Sequence, residues 1–244
     1  MHPLVLINSG VPTVSDALQI VLPYLEHFGV PYDVLDVLHQ PLPPDLAERP
    51  LAIVAHRNLD ARGRRLGAAG RQMLREAVER GMGLVSFDPH VLGDAAETPN
   101  AAPPAEAIGV ADNGHPISAR HASGETLALV GPLPVPPLPL DGDTVLLTAG
   151  GRPLLATRTL GRGRMVRWAT PRWAQTRVLG PLAGLDDILW RAVVWAARRP
   201  FVLRGLAPLV AMRVDDVAGS GGRWGQTPLY WARAARRHGF RPWL

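Results

Sequence analysis

Cysteine is missing from the 244 residues, which excludes disulfides, thiolate metal sites and a cysteine nucleophile. Lysine is missing too, so all 26 lysine-or-arginine positions are arginine. With a net charge of only +5, this usage reads as the codon preference of a G+C-rich genome, and nucleic acid is not an expected partner. Long apolar runs are also lacking: none approaches the ~18 residues of a membrane span, so no membrane partner is expected. The opening MHPLVLINSG has no cationic segment before its short apolar run and reads as a first strand, not a signal peptide. The expected compartment is therefore the cytoplasm. What is present is 47% hydrophobic and 19% charged, the balance of a globular protein.

The length suits one large α/β domain, or a domain of about 200 residues followed by part of another. Apolar runs at 4–8 (LVLIN), 51–56 (LAIVAH) and 83–87 (GLVSF) read as buried strands, and YDVLDV at 32–37 alternates. Helical spacing marks 14–28, ended by Gly29, and 62–80, ended by Gly81. Strands and helices joined this way predict a parallel sheet covered on both faces. Proline makes 98–105 and 131–140 irregular, and both read as loops or edge excursions. Three β segments at 144–148, 153–157 and 164–168 predict antiparallel pairing at one side of that sheet, and 185–199 a helix stopped by Pro200.

After Pro200 the pattern starts over. Residues 209–222 read LVAMRVDDVAGSGG: a strand climbs to Asp215 and Asp216 and gives way to a glycine loop. Thr227-Pro228 then opens a helix to His238, Gly239 ends it, and 240–244 begins another strand. The restart is a βα unit lacking most of its second strand.

The opening α/β pattern, Gly114-His115-Pro116-Ile117, GRGRMVRW at 161–168 and ILWRAVVWAARRP at 188–200 resemble the class I glutamine amidotransferase-like superfamily. Within it, the match is to non-amidotransferase branches found beside carbohydrate-active enzymes. This resemblance covers 1–200 and implies a flavodoxin-like α/β fold: a three-layer sandwich with a parallel central sheet, here carrying a β-hairpin extension. The family's catalytic form needs a cysteine on a sharp strand-to-helix elbow, with histidine and glutamate partners. GLVSF instead runs into Asp88-Pro89-His90, and Ser86 lies inside the strand. Amide hydrolysis is therefore not expected.

Over 201–244, MRVDDV with its glycine loop, amphipathic helix and HGFRPWL is similar to the start of polysaccharide deacetylase domains. That resemblance implies the opening of a (β/α) barrel, with Asp215 as general base and Asp216 joining two histidines on a divalent metal, usually zinc. The chemistry is coherent, because amide hydrolysis by a metal-activated water needs both a Lewis acid and a base for the water's proton. The family's downstream histidine motif is missing, since His238 is the one histidine after Asp216. The segment is expected to be a truncated domain with an incomplete site.

Other groupings read as structure. Asp88, His90 and His115 combine carboxylate and imidazole without a diagnostic metal-ligand spacing, and read as polar loop residues. AGSGGRWG at 218–225 lacks the endings of nucleotide-binding glycine loops and reads as a turn or a mobile active-site loop. Arg158, Arg162, Arg164, Arg167 and Arg172 read as the solvent side of a hairpin, and Trp168 and Trp173 as core or interface. The sequence thus leads to an amidotransferase-like accessory domain of a metal-dependent carbohydrate deacetylase, inactive as this chain alone. The alternative is a noncatalytic carbohydrate- or protein-binding or assembly module. The expected partners are a carbohydrate ligand and further copies of the chain.

Overall fold

The computed structural model describes residues 2–60, 63, 65–93, 103–180, 186–198, 212–213, 228–239 and 242–243. The chain forms two compact units, Met1–Phe201 and Val202–Leu244. In the first unit the strands are β1 (Leu4–Ile7), β2 (Asp33–Asp36), β3 (Leu51–Val54), β4 (Gly83–Ser86), β5 (Ala105–Val110), β6 (Thr126–Leu133), β7 (Thr144–Ala149), β8 (Arg152–Leu160) and β9 (Gly163–Trp168). They make one sheet in the order β2-β1-β3-β4-β9-β8-β7-β5-β6. Its helices are α1 (14–27), α2 (Gly67–Arg80), α3 (Thr176–Leu179) and α4 (Asp186–Ala196).

Strands β1, β3 and β4 are buried at every position because each side of the sheet is covered. Val5, Ile7, Ile53 and Val85 point into a cluster with Val21 and Leu25 of α1 and Ile188 and Val193 of α4. Leu4, Leu6, Val54 and Leu84 point the other way, onto Leu74, Ala77 and Val78 of α2. Each such side chain contributes about 1.5–3 kcal/mol by leaving water. This is the flavodoxin-like α/β arrangement.

Two helix details reflect local chemistry. The α2 pattern begins on paper at Arg62, yet the helix starts at Gly67. Asp60 sets that start: its Oδ1 accepts the Arg65 and Leu66 N–H groups at 2.8 and 2.9 Å, and its other oxygen pairs with Arg71. Helix α1 widens into a π turn over Ala17–Val21, where Leu22 N–H reaches back five residues to Ala17 O. Pro23 follows, with no N–H to give and a ring that crowds the preceding turn, and the wider turn accommodates it.

The three β segments of 144–168 pair antiparallel at one side of the parallel strands, as their pattern predicts. β9 pairs parallel with β4 and antiparallel with β8, so it joins the two halves of a single mixed sheet. β5 and β6 lie mostly between the two proline-rich stretches, overlapping them only at Ala105 and at 131–133, and continue the sheet antiparallel to its edge. Pro132 is tolerated because β6 is that edge. In the second unit β10 (Met212–Arg213) and β11 (Pro242–Trp243) pair parallel on either side of α5 (Pro228–His238) in the chain. Asp215, Asp216 and the glycine loop lie outside the described residues. Among the described residues, no helix is long and apolar enough to cross a membrane.

Candidate functional site

Strands β1 and β3 are neighbours, but α1 follows β1 onto one face while α2 follows β3 onto the other. Such divergence opens a crevice beyond the C-terminal strand ends, the usual ligand position in open α/β sheets. Two polar residues that end buried runs stand there, Asn8 after β1 and His56 after β3, 1% and 0% exposed. Asn8 N–H donates to His56 Nε2 at 2.8 Å. A main-chain amide only donates, so Nε2 is unprotonated and the ring hydrogen belongs on Nδ1, which donates to Arg57 O at 2.7 Å. Thr13 Oγ1 donates to the same carbonyl at 2.6 Å. The Asn8 amide donates to Leu59 O at 2.8 Å and accepts the Gly10 N–H at 3.0 Å. Burial holds His56 below its ordinary pKa of 6.5, outweighing the Arg57 carbonyl and the carboxylates of Asp88, Asp16 and Asp36.

Asp88 closes the same edge from β4. Its Oδ2 accepts the Leu59 N–H at 2.9 Å and its Oδ1 the His90 N–H at 3.1 Å. Burial pushes its pKa up from 3.8, against the lowering effect of those two amides and of Arg57. Ser86 Oγ donates to Asp88 O at 2.7 Å and accepts the Asp88 N–H at 3.1 Å. Asp16, in the first turn of α1, accepts Arg172 Nε on both oxygens at 3.1 Å. A general base needs a lone pair turned toward substrate. Both His56 nitrogens and both Asp88 oxygens instead hold main chain.

The sequence grouping of Asp88, His90 and His115 does not assemble. The His115 ring meets Trp195 edge-on at 4.7 Å, and Trp195 O accepts from Arg164 near the start of β9 at 3.1 Å. Gly83, which opens the parallel strand β4, lies directly against Ala196. His115 therefore sits at the N-terminal end of these strands, whereas Asp88 and His90 follow the C-terminal end. Among the described residues, no group of three or more His, Asp or Glu is placed to hold a metal ion. Of the arginines read as a solvent face, Arg167 is buried: it pairs with Asp143 at 3.1 Å, their side chains 2% and 0% exposed. Trp168 and Trp173 stack at 4.9 Å inside the core.

No protein-family profile matches the chain, and no curated protein does. Solved structures do match. A ThuA-like protein from Bacteroides uniformis has a TM-score of 0.56 at 14% identity, covering 80% of this chain and 91% of its own. PurLQS from Thermotoga maritima gives 0.52 at 15% identity, over 80% and 98%. A cytoplasmic protein of Salmonella typhimurium gives 0.51 at 13% identity, over 80% and 98%. The fold is glutamine amidotransferase-like. The turn after β4 is closed by the Ser86 hydroxyl, which bonds both main-chain groups of Asp88.

Sequence reading did not single out Asn8, His56 or the Asp16–Arg172 pair. The available signal was the polar residue that ends each buried run, LVLIN and LAIVAH, at neighbouring strand ends. Away from this edge, a groove of about 490 Å³ runs between α1 and α3, lined by Gln19, Pro23, Tyr24, Gln175, Thr176 and Arg177 among others.

Proposed function

We propose that the amidotransferase-like unit is a catalytically silent accessory module of a metal-dependent polysaccharide deacetylase whose catalytic part starts in the second unit. The observation that supports silence is the strand-end crevice: its imidazole is fixed neutral between two main-chain partners, its carboxylate caps two amides, and no nucleophile stands on the β4 turn. Support for the deacetylase comes from MRVDDV alone. Asp215 would serve as base and Asp216 as one zinc ligand. One carboxylate does not fit a zinc site, which takes three protein ligands, and the described residues offer no cluster to complete it. No catalytic step is therefore assigned to this chain.

Zinc calorimetry on the chain and on Asp216→Ala, together with a glutaminase assay, tests the proposal. Weak zinc uptake that disappears with Asp216, and no glutamine hydrolysis, are expected. Zinc uptake indifferent to Asp216 would sink the deacetylase assignment; glutamine turnover would sink the silent module. A second reading, a noncatalytic carbohydrate-binding module, is favoured by the groove between α1 and α3.

A further inference from the structure

The groove on the outer side of α1 differs from the closed crevice in its lining. Gln19, Ile20, Pro23 and Tyr24 come from the π turn of α1 and the turn after it, Ala174 and Gln175 from the 3-10 turn and cap before α3, and Thr176 and Arg177 from its first turn. Its volume, about 490 Å³, lies within the range of small-molecule sites. Turns of the π kind recur at functional sites.

The lining chemistry selects among ligands. Among the described lining residues there is no carboxylate, and Arg177 brings the single charge. Its Nε donates to Gln175 Oε1 at 2.8 Å, which sets the two polar groups side by side at the groove. Two amides, a hydroxyl and a guanidinium offer the alternating donors and acceptors that adjacent sugar hydroxyls require. Tyr24 adds a ring: it packs on Phe28 at 4.7 Å, and Phe28 stacks on Trp190 at 5.3 Å, so its plane is held in place at low entropic cost. A peptide groove would offer apolar anchor pockets or an unpaired strand edge. Here the one large aliphatic in the lining, Ile20, is itself 7% exposed.

We infer that this groove binds a neutral oligosaccharide, with Tyr24 as its stacking platform and Gln175 and Arg177 as its hydrogen-bonding clamp. The inference rests on the carbohydrate-binding reading above and gives that reading a site. Titration of the full chain with chitopentaose and with cellopentaose, followed by amide chemical shifts, tests it. Residues 19–24 and 174–177 are expected to shift with a Kd on the order of 0.1–1 mM. Tyr24→Ala and Arg177→Ala are each expected to weaken binding at least about tenfold, and Arg177, being exposed, is replaceable without loss of fold. The inference is overturned if neither sugar shifts these residues, if the shifts fall elsewhere, if both variants bind as the parent does, or if a peptide pool binds there and the sugars do not. Zinc uptake at Asp216 separates the two readings: groove binding without Asp216-dependent zinc uptake supports this site and counts against the deacetylase, and the reverse result overturns the groove alone.

Discussion

His56 shows how a residue that looks catalytic can be structural. An imidazole at a strand end in an α/β sheet is an ordinary candidate for proton transfer, but here one nitrogen accepts Asn8 N–H and the other donates to Arg57 O. Its pKa lies below the ordinary 6.5 because burial disfavours the charged ring. The unfolded chain therefore takes up this proton at a higher pH than the folded one. As pH falls below 6.5, stability is lost, and the loss continues until the folded ring protonates. His56→Gln is expected to cost about 1–3 kcal/mol at pH 7.5 through the unmade main-chain bonds, and to flatten the fall in stability between pH 7 and 5. Urea unfolding of both proteins across that range is the measurement; parallel slopes would mean that His56 titrates normally. The sequence carries a trace of this network in the polar ends of LVLIN and LAIVAH. It does not carry the pairing, because Asn8 and His56 stand far apart in the chain and meet only once β1 and β3 align.

At the scale of elements, legibility followed burial. β1, β3 and β4 were readable as apolar runs because helices cover both faces, and α1 and α2 because their apolar residues recur at helical spacing. β6 was obscured by an exposed edge and by Pro132, whereas β9 was readable as a strand but not as a central one. GRMVRW reads as a strand with two solvated arginines, yet β9 is central, and Arg167 is affordable there only because Asp143 meets it from the chain before β7 while Pro89 O accepts its other nitrogen at 2.9 Å. The arginine thus ties β9 to the approach to β7 and to the turn after β4. Arg167→Met strands a buried carboxylate and is expected to cost about 3–5 kcal/mol, whereas Arg167→Met with Asp143→Leu should recover most of that loss. A double-mutant cycle in urea decides it, and a double variant no more stable than the single one would show that the pair is not an isolated ionic contact. Gly163, where β9 begins, is a second such constraint. A Cβ there would overlap Val78 O and Met82 O, so Gly163→Ala must push α2 from the sheet and should cost about 1–3 kcal/mol or more. An unchanged melting temperature would refute that close packing.

For the whole molecule, the resemblance over 1–200 pointed to the right fold, while the acid pair and the glycine loop that carry the resemblance over 201–244 lie outside the described residues. Among the described residues, the two units differ in how much core they own. Both apolar clusters of the sheet are built from residues between Leu4 and Ala197. In the second unit α5 leaves Leu229 and Tyr230 56% and 49% exposed, and its β10–β11 pair is two residues long on each side. The described elements of this unit, one helix and a strand pair that short, do not bury enough surface by themselves to offset chain entropy. A chain ending at residue 201 is therefore expected to fold cooperatively, with a circular dichroism spectrum rich in both helix and strand and a melting midpoint within about 4 °C of the full chain, the shift that ~1 kcal/mol produces at this size. Residues 202–244 alone are expected to give the spectrum of an unfolded peptide. A midpoint lowered by roughly 10 °C or more in the shortened chain would correspond to several kcal/mol. The second unit would then be part of what stabilises the amidotransferase-like fold, and the core inventory above would be incomplete by that amount.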